Sequence, residues 1–175
     1  KSAFPTPRPL IELGREMYTV GPYEEAGTFL GTLNPSYNQF LVYGDWRTAL
    51  AFNDNGLVEV GQVATRLNLE FDYRFTSTER IHWFIGPLDG QGDFTRCEIF
   101  GDDAPNNDTG RKCDLQSDGN LDALFLEGDG GAIYSGLSGE YSSVDVPFAL
   151  GLMPLLFQNG IWLEDAFTGA AVTIP

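Results

Sequence analysis

No stretch of this chain approaches the roughly 18 consecutive apolar residues of a membrane-spanning helix. Its most apolar segment, Phe148 to Phe157, is interrupted by Gly151 and Pro154. Basic residues are also scarce: ten Lys and Arg stand against 25 Asp and Glu, a net charge of -15. That balance excludes a general affinity for nucleic acid, because phosphate binding needs cationic side chains in excess. There is one histidine, His82, and there are two cysteines, Cys97 and Cys113. Two thiols and a distant imidazole do not make a tetrahedral zinc site, and without Cys-x-x-Cys spacing they suggest neither redox nor haem chemistry. No serine nucleophile elbow is present, and no carboxylate pair can be placed at glycosidase distance. Gly128-Asp129-Gly130-Gly131 reads as a turn rather than a phosphate loop, since neither a helix nor a lysine is expected after it. The sequence therefore points away from an enzyme. The chain opens Lys-Ser-Ala-Phe-Pro without the apolar core of a secretory signal, as expected of a mature form or of a chain that never carried one.

What is abundant is alternation. From Arg66 to Phe75, Leu67, Leu69, Phe71, Tyr73 and Phe75 alternate without a break against Arg66, Asn68, Glu70, Asp72 and Arg74. A period of two is a strand with unlike faces, whereas at 3.6 residues per turn the same apolar residues would scatter around a helix. Two settings fit: a soluble sheet with its apolar face in a core, or a transmembrane barrel with its apolar face toward lipid and its charged face toward a wet lumen. With Val63 and Thr65 added, the segment exceeds the 5 to 6 residues usual in globular strands and suffices for the roughly 9 to 11 that cross a bilayer.

The 21 glycines and ten prolines, spread along the chain, predict many turns and no long helix. Residues 1–44, broken by Pro5, Pro7, Pro9, Gly21-Pro22 and Asn34-Pro35, are expected to be irregular, with at most a short helix over Ile11 to Met17. Strands are expected over Asp45 to Asn53, over the central segment, and over Arg80 to Ile85, which returns across the polar turn Thr76 to Glu79. Beyond Gly86-Pro87 a long acidic excursion spans 88–120, strand-like only over Phe94 to Phe100. Further strands are expected over Leu121 to Glu127, Ala132 to Leu137, Val144 to Leu152 and Ala166 to Ile174, the last two separated by Pro154 and by Gln158-Asn159-Gly160. The class is all-β, with about seven strands over 45–175, which the resemblance given below implies to be barrel strands. A short turn followed by a long loop is the spacing of outer-membrane barrels.

Between Asp89 and Asp129 eleven acids face only Arg96, Arg111 and Lys112, so this segment must be solvated or bind cations. Asp114, Asp118, Asn120 and Asp122 fall near the ligand positions of a calcium loop, although Gln116 is neutral and Phe125 replaces the closing glutamate. A looser set would draw on Asp102, Asp103, Asn106 and Asp108, and a solvated acidic loop needs no ion at all. Cys97 and Cys113 read as a disulfide closing this loop in an oxidising compartment, against the alternative of two unrelated free thiols.

The segment Arg66-Leu-Asn-Leu-Glu-Phe-Asp-Tyr-Arg-Phe-Thr-Ser-Thr-Glu-Arg-Ile-His-Trp-Phe-Ile-Gly-Pro-Leu88, together with Leu155-Leu-Phe-Gln-Asn-Gly-Ile-Trp-Leu-Glu-Asp-Ala-Phe167, resembles porin-like outer-membrane β-barrel proteins of Gram-negative bacteria, of the alginate-export and phosphate-selective kinds. The resemblance runs loosely from Asp45 onward. It implies an antiparallel up-and-down transmembrane barrel in the outer membrane, with passive passage of small solutes or a structural role. Arg66, Asn68, Glu70, Asp72 and Arg74 would then line the lumen, with the lipid bilayer as partner. Such barrels are usually much longer than 175 residues and usually close on an aromatic residue, whereas this chain stops at Val172-Thr173-Ile174-Pro175. The expectation is an N-terminal portion of a larger barrel, completed by further strands or partner chains. The alternative is a secreted soluble β-sandwich or barrel domain that binds a ligand or calcium.

Overall fold

The computed structural model describes residues 6–18, 25–56, 59–90, 93–102, 113–157 and 163–174. The chain divides into two compact units. The first comprises 1–43, 70–84 and 122–175; the second comprises 44–69 and 85–121.

In chain order the elements are β1 (Ile11–Gly14), β2 (Gln39–Asp54), β3 (Glu59–Arg74), β4 (Arg80–Ile85), β5 (Asp89–Gly90), β6 (Asp93–Asp102), β7 (Cys113–Asp114), β8 (Leu121–Asp129), α1 (Gly130–Ser138), β9 (Pro147–Phe157) and β10 (Leu163–Val172). Strands dominate, so the all-β class holds. The pairs β1–β2, β3–β6, β8–β9 and β9–β10 are antiparallel. In the first unit the sheet runs β1-β2-β3-β4-β8-β9-β10; in the second, β6 lies beside β3 over Glu59–Thr65 and also pairs with β5 and β7. The sheet is not closed: among the described residues, β1 and β10 end the path with a strand partner on one side only.

The strands begin and end where local chemistry requires. β2 and β3 run 16 residues each, longer than their alternation alone demanded, and β2 starts at Gln39 rather than Asp45. β4 follows a tight turn in which the Phe75 N–H donates to the Glu79 carbonyl at 2.9 Å. Gly86-Pro87 then halts it, because proline has no N–H to offer a ladder. Pro154 is tolerated inside β9 for the same reason in reverse. The ladder to β8 has already ended at Leu124↔Leu152, and beyond it β9 pairs only with β10, where Ala166 faces Pro154.

Three expectations are corrected. Ile11 to Gly14 is a strand edge on β2, not helix, its register fixed by pairs from Ile11↔Val42 to Gly14↔Gln39. Ala132 to Leu137 is helical, not extended. Gly128 to Gly131 accordingly leads into a helix rather than a simple turn. Asp129 caps that helix by accepting from the Ala132 N–H at 2.8 Å, and Gly139 ends it at φ 74°. Within 88–120, strands β5, β6 and β7 organise what was expected to be mostly loop. The looser calcium set at 103–108 and the turn at 158–160 lie outside the described residues; so does the side chain of Asp102.

Buried side chains invert the usual composition. Among the described residues the buried apolar set is Leu41, Val42, Ala123 and Met153, whereas Asn34, Ser36, Gln39, Asp72, Thr76, Glu79, Thr95, Asp129 and Ser135 are buried and polar. Asp and Glu are almost never enclosed unless paired, so these groups mark where the structure is held by polar contacts.

Candidate functional site

Pleat geometry places Arg66, Asn68, Glu70, Asp72 and Arg74 on one face of β3 and Leu67, Leu69, Phe71 and Tyr73 on the other. In the first unit, Asp72 is 1% exposed. Its Oδ2 accepts from Tyr43 Oη on β2 at 3.3 Å and from Arg80 Nη1 on β4 at 3.2 Å; its Oδ1 accepts from Arg74 Nε at 3.4 Å. Arg80 Nε in turn donates to Glu127 Oε2 on β8. One row of polar side chains thus crosses four strands, with two carboxylates balanced by two guanidiniums. His82 lies on this face of β4, as alternation requires, with its ring 5.4 Å from Phe125 of β8. Tyr43, Arg80 and Glu127 were not among the residues the sequence singled out. Their separations of 29, 8 and 47 residues along the bonded pairs become neighbours only through strand register.

The opposite face of the same strands is aromatic. Phe71 and Trp83 stack at 4.9 Å with 4° between planes, Phe40 lies 5.8 Å from Trp83, and Tyr73 meets Phe75 edge-on at 4.8 Å. None of Leu67, Leu69, Phe71, Tyr73 and Phe75 is buried.

In the second unit, Asn68 Nδ2 donates to Asp45 Oδ1 at 3.2 Å, and Arg66 Nε pairs with Asp89 Oδ2 at 2.7 Å. The apolar face of β2 carries Trp46, Leu50 and Phe52 at 73%, 78% and 61% exposure. Cys97 and Cys113 are disulfide-bonded as a facing pair of β6 and β7, which fixes the third strand of the acidic excursion to the second.

A second polar centre lies where the β3–β4 turn meets the start of α1 in the first unit. The Glu79 carboxylate accepts from Asn34 Nδ2 at 2.7 Å, from Thr76 Oγ1, from Thr78 Oγ1 at 2.9 Å and from the Asp129 N–H at 3.1 Å. Burial pushes its pKa up, but the hydrogen bonds from Thr76, Asn34, the Asp129 N–H and Thr78 together outweigh burial and hold it below the ordinary 4.5.

The residues of the sequence-derived calcium loop are spoken for separately. Asp114 Oδ1 accepts from Gln116 Nε2 at 2.8 Å, and its Oδ2 is 3.8 Å from Arg96. Asp118 Oδ1 accepts from the Asn120 N–H at 2.8 Å, while Asp122 belongs to the other unit. Among the described residues no group of three or more His, Cys, Asp or Glu side chains stands where it could hold a metal ion, and no helix is long and apolar enough to cross a membrane.

No protein-family model, no curated protein and no solved structure matches the chain.

Proposed function

We propose that this chain is part of a porin-like outer-membrane β-barrel, with the Arg66, Asn68, Glu70, Asp72 and Arg74 face turned to an aqueous lumen that passes small solutes. The observation that carries the reading is the inverted sheet. The charged face of β3 encloses Asp72 in a bonded row, while Trp46, Leu50 and Phe52 of β2 stand exposed and the apolar side chains of β3 and β4 are half-buried rather than enclosed in a core. In water that arrangement exposes apolar area at about 25 cal/mol per Å². Against hydrocarbon the same side chains are stably solvated, and a ladder of strands can satisfy every backbone group only if it closes. The open path from β1 to β10 therefore calls for further strands or partner chains. A lumen lined by both signs of charge, rather than by a ring of one sign, suits small polar solutes of mixed charge.

Alkaline carbonate washing of outer membranes tests this. The chain is expected to stay in the pellet and to come off only with detergent. Quantitative recovery in the wash would instead promote a secreted, soluble β-domain.

A further inference from the structure

The connection from β2 to β3, in the second unit, carries a chemistry that the sheet itself does not use. Asn55 and Gly56 are both exposed there, between two strands of 16 residues each. Among the described residues Asn55 alone is an asparagine followed by glycine. Asn34 precedes a proline, and Asn38, Asn53, Asn68 and Asn120 precede residues with full side chains. A Cβ built on Gly56 would meet nothing within 4 Å, and the residue sits at φ 79°. With no side chain to shield it, the Gly56 nitrogen can swing toward the neighbouring carboxamide. One contact opposes that swing: the Gly56 N–H donates to Asp54 Oδ1 at 2.8 Å.

We propose that Asn55 is a site of spontaneous deamidation, a slow covalent modification whose rate Asp54 restrains. The Gly56 nitrogen gives up its proton and attacks Asn55 Cγ. The new C–N bond closes a succinimide ring, and the side-chain nitrogen leaves as ammonia, taking up the proton. Water then opens the ring at either carbonyl and leaves aspartate or isoaspartate at position 55. Water is the only co-reactant, and no electrons are exchanged. Either product adds a negative charge at the turn, and isoaspartate also adds a methylene to the main chain. Because turn length sets the register of the strands it joins, the modified turn loosens the β2–β3 connection. The bond to Asp54 lies in water, so it slows the attack severalfold without preventing it. The proposal does not depend on the barrel reading, since an exposed turn meets water in a membrane barrel and in a soluble domain alike.

Incubation of the full chain at mildly alkaline pH, followed by peptide mapping with mass spectrometry, tests it. Asn120, an exposed asparagine of the same unit followed by Leu121, is the internal comparison. Conversion at Asn55 is expected to run about tenfold faster than at Asn120, or more. Asp54→Ala should speed it severalfold, whereas Asp54→Asn, which keeps an acceptor oxygen in place, should leave it near the wild-type rate. The rate at Asn120 should stay the same in both variants, as it must if the unit remains folded. Conversion at Asn55 no faster than at Asn120 would overturn the proposal. A rate unchanged by Asp54→Ala, or raised equally at Asn55 and Asn120, would overturn the restraint assigned to Asp54.

Discussion

An enclosed carboxylate must be matched by donors or it forces its way out, and Asp72, held by Tyr43, Arg74 and Arg80, is matched on both oxygens. Replacing it by alanine leaves two guanidiniums facing each other without their shared acceptor. Because both retain substantial solvent exposure, the expected loss is about 1–3 kcal/mol, below the figure for a wholly dry pair. Urea unfolding of Asp72→Ala checks this, and a loss under a few tenths of a kcal/mol would show that the row is ornamental. Glu79 makes a sharper case, since its folded pKa is lower than its unfolded one. Its contribution is therefore fully present above the ordinary 4.5 and is lost as pH falls through the depressed folded value. Glu79→Gln should destabilise the protein by about 2 kcal/mol at neutral pH and flatten the acid side of the stability profile. An unchanged slope of stability against pH below 5 would contradict that assignment. The carboxylate's partners, Asn34 and the Asp129 N–H, stand 45 and 50 residues away, so the sequence showed only a polar turn there.

At the scale of elements, what could be read was whatever depends on neighbours along the chain. β4 occupies the expected Arg80–Ile85, bounded by Thr76 to Glu79 and by Gly86-Pro87. The alternating segment became β3 because period two leaves no other regular structure that separates its faces. The helix was missed because Ala132 to Leu137 carries no charge contrast to set its period. The usable signal was its caps, an Asx acceptor at Asp129 and a glycine at Gly139, ten residues apart. α1 also shows why two glycines differ in consequence. A Cβ on Gly136 would lie 1.8 Å from the Leu30 carbonyl oxygen, whereas one on Gly139 would meet nothing, leaving only the strain of φ 74°. Gly136→Ala should therefore cost roughly 2–3 kcal/mol by forcing the helix off the 30–31 segment, and Gly139→Ala about 1 kcal/mol. Comparison of denaturation midpoints checks the order, and equal or reversed losses would mean that this close approach is absent in solution.

For the whole molecule, the legible part was the class and the two-faced strand; the illegible part was which face meets which medium. Alternation is symmetric in that respect, since a core-facing and a lipid-facing apolar row look alike in sequence. Register sorted the side chains by face. It gathered Tyr43, Asp72, Arg80 and Glu127 on one side and Phe40, Phe71 and Trp83, all half-buried, on the other. The disulfide was anticipated from two cysteines in one acidic excursion, but its role in joining β6 to β7 was not, because Cys113 gives no strand signal by itself.

The most direct test is spin-label scanning of β3 in lipid bilayers, one cysteine substitution at a time from Arg66 to Phe75, with Cys97 and Cys113 left oxidised to each other. Labels at 67, 69, 71, 73 and 75 should collide readily with oxygen dissolved in the hydrocarbon, while labels at 66, 68, 70 and 74 should collide with a water-soluble nickel complex. The two accessibilities should alternate out of phase with a period of two. Odd positions shielded from both reagents, as side chains in a protein core would be, or open to nickel rather than oxygen, would contradict the account.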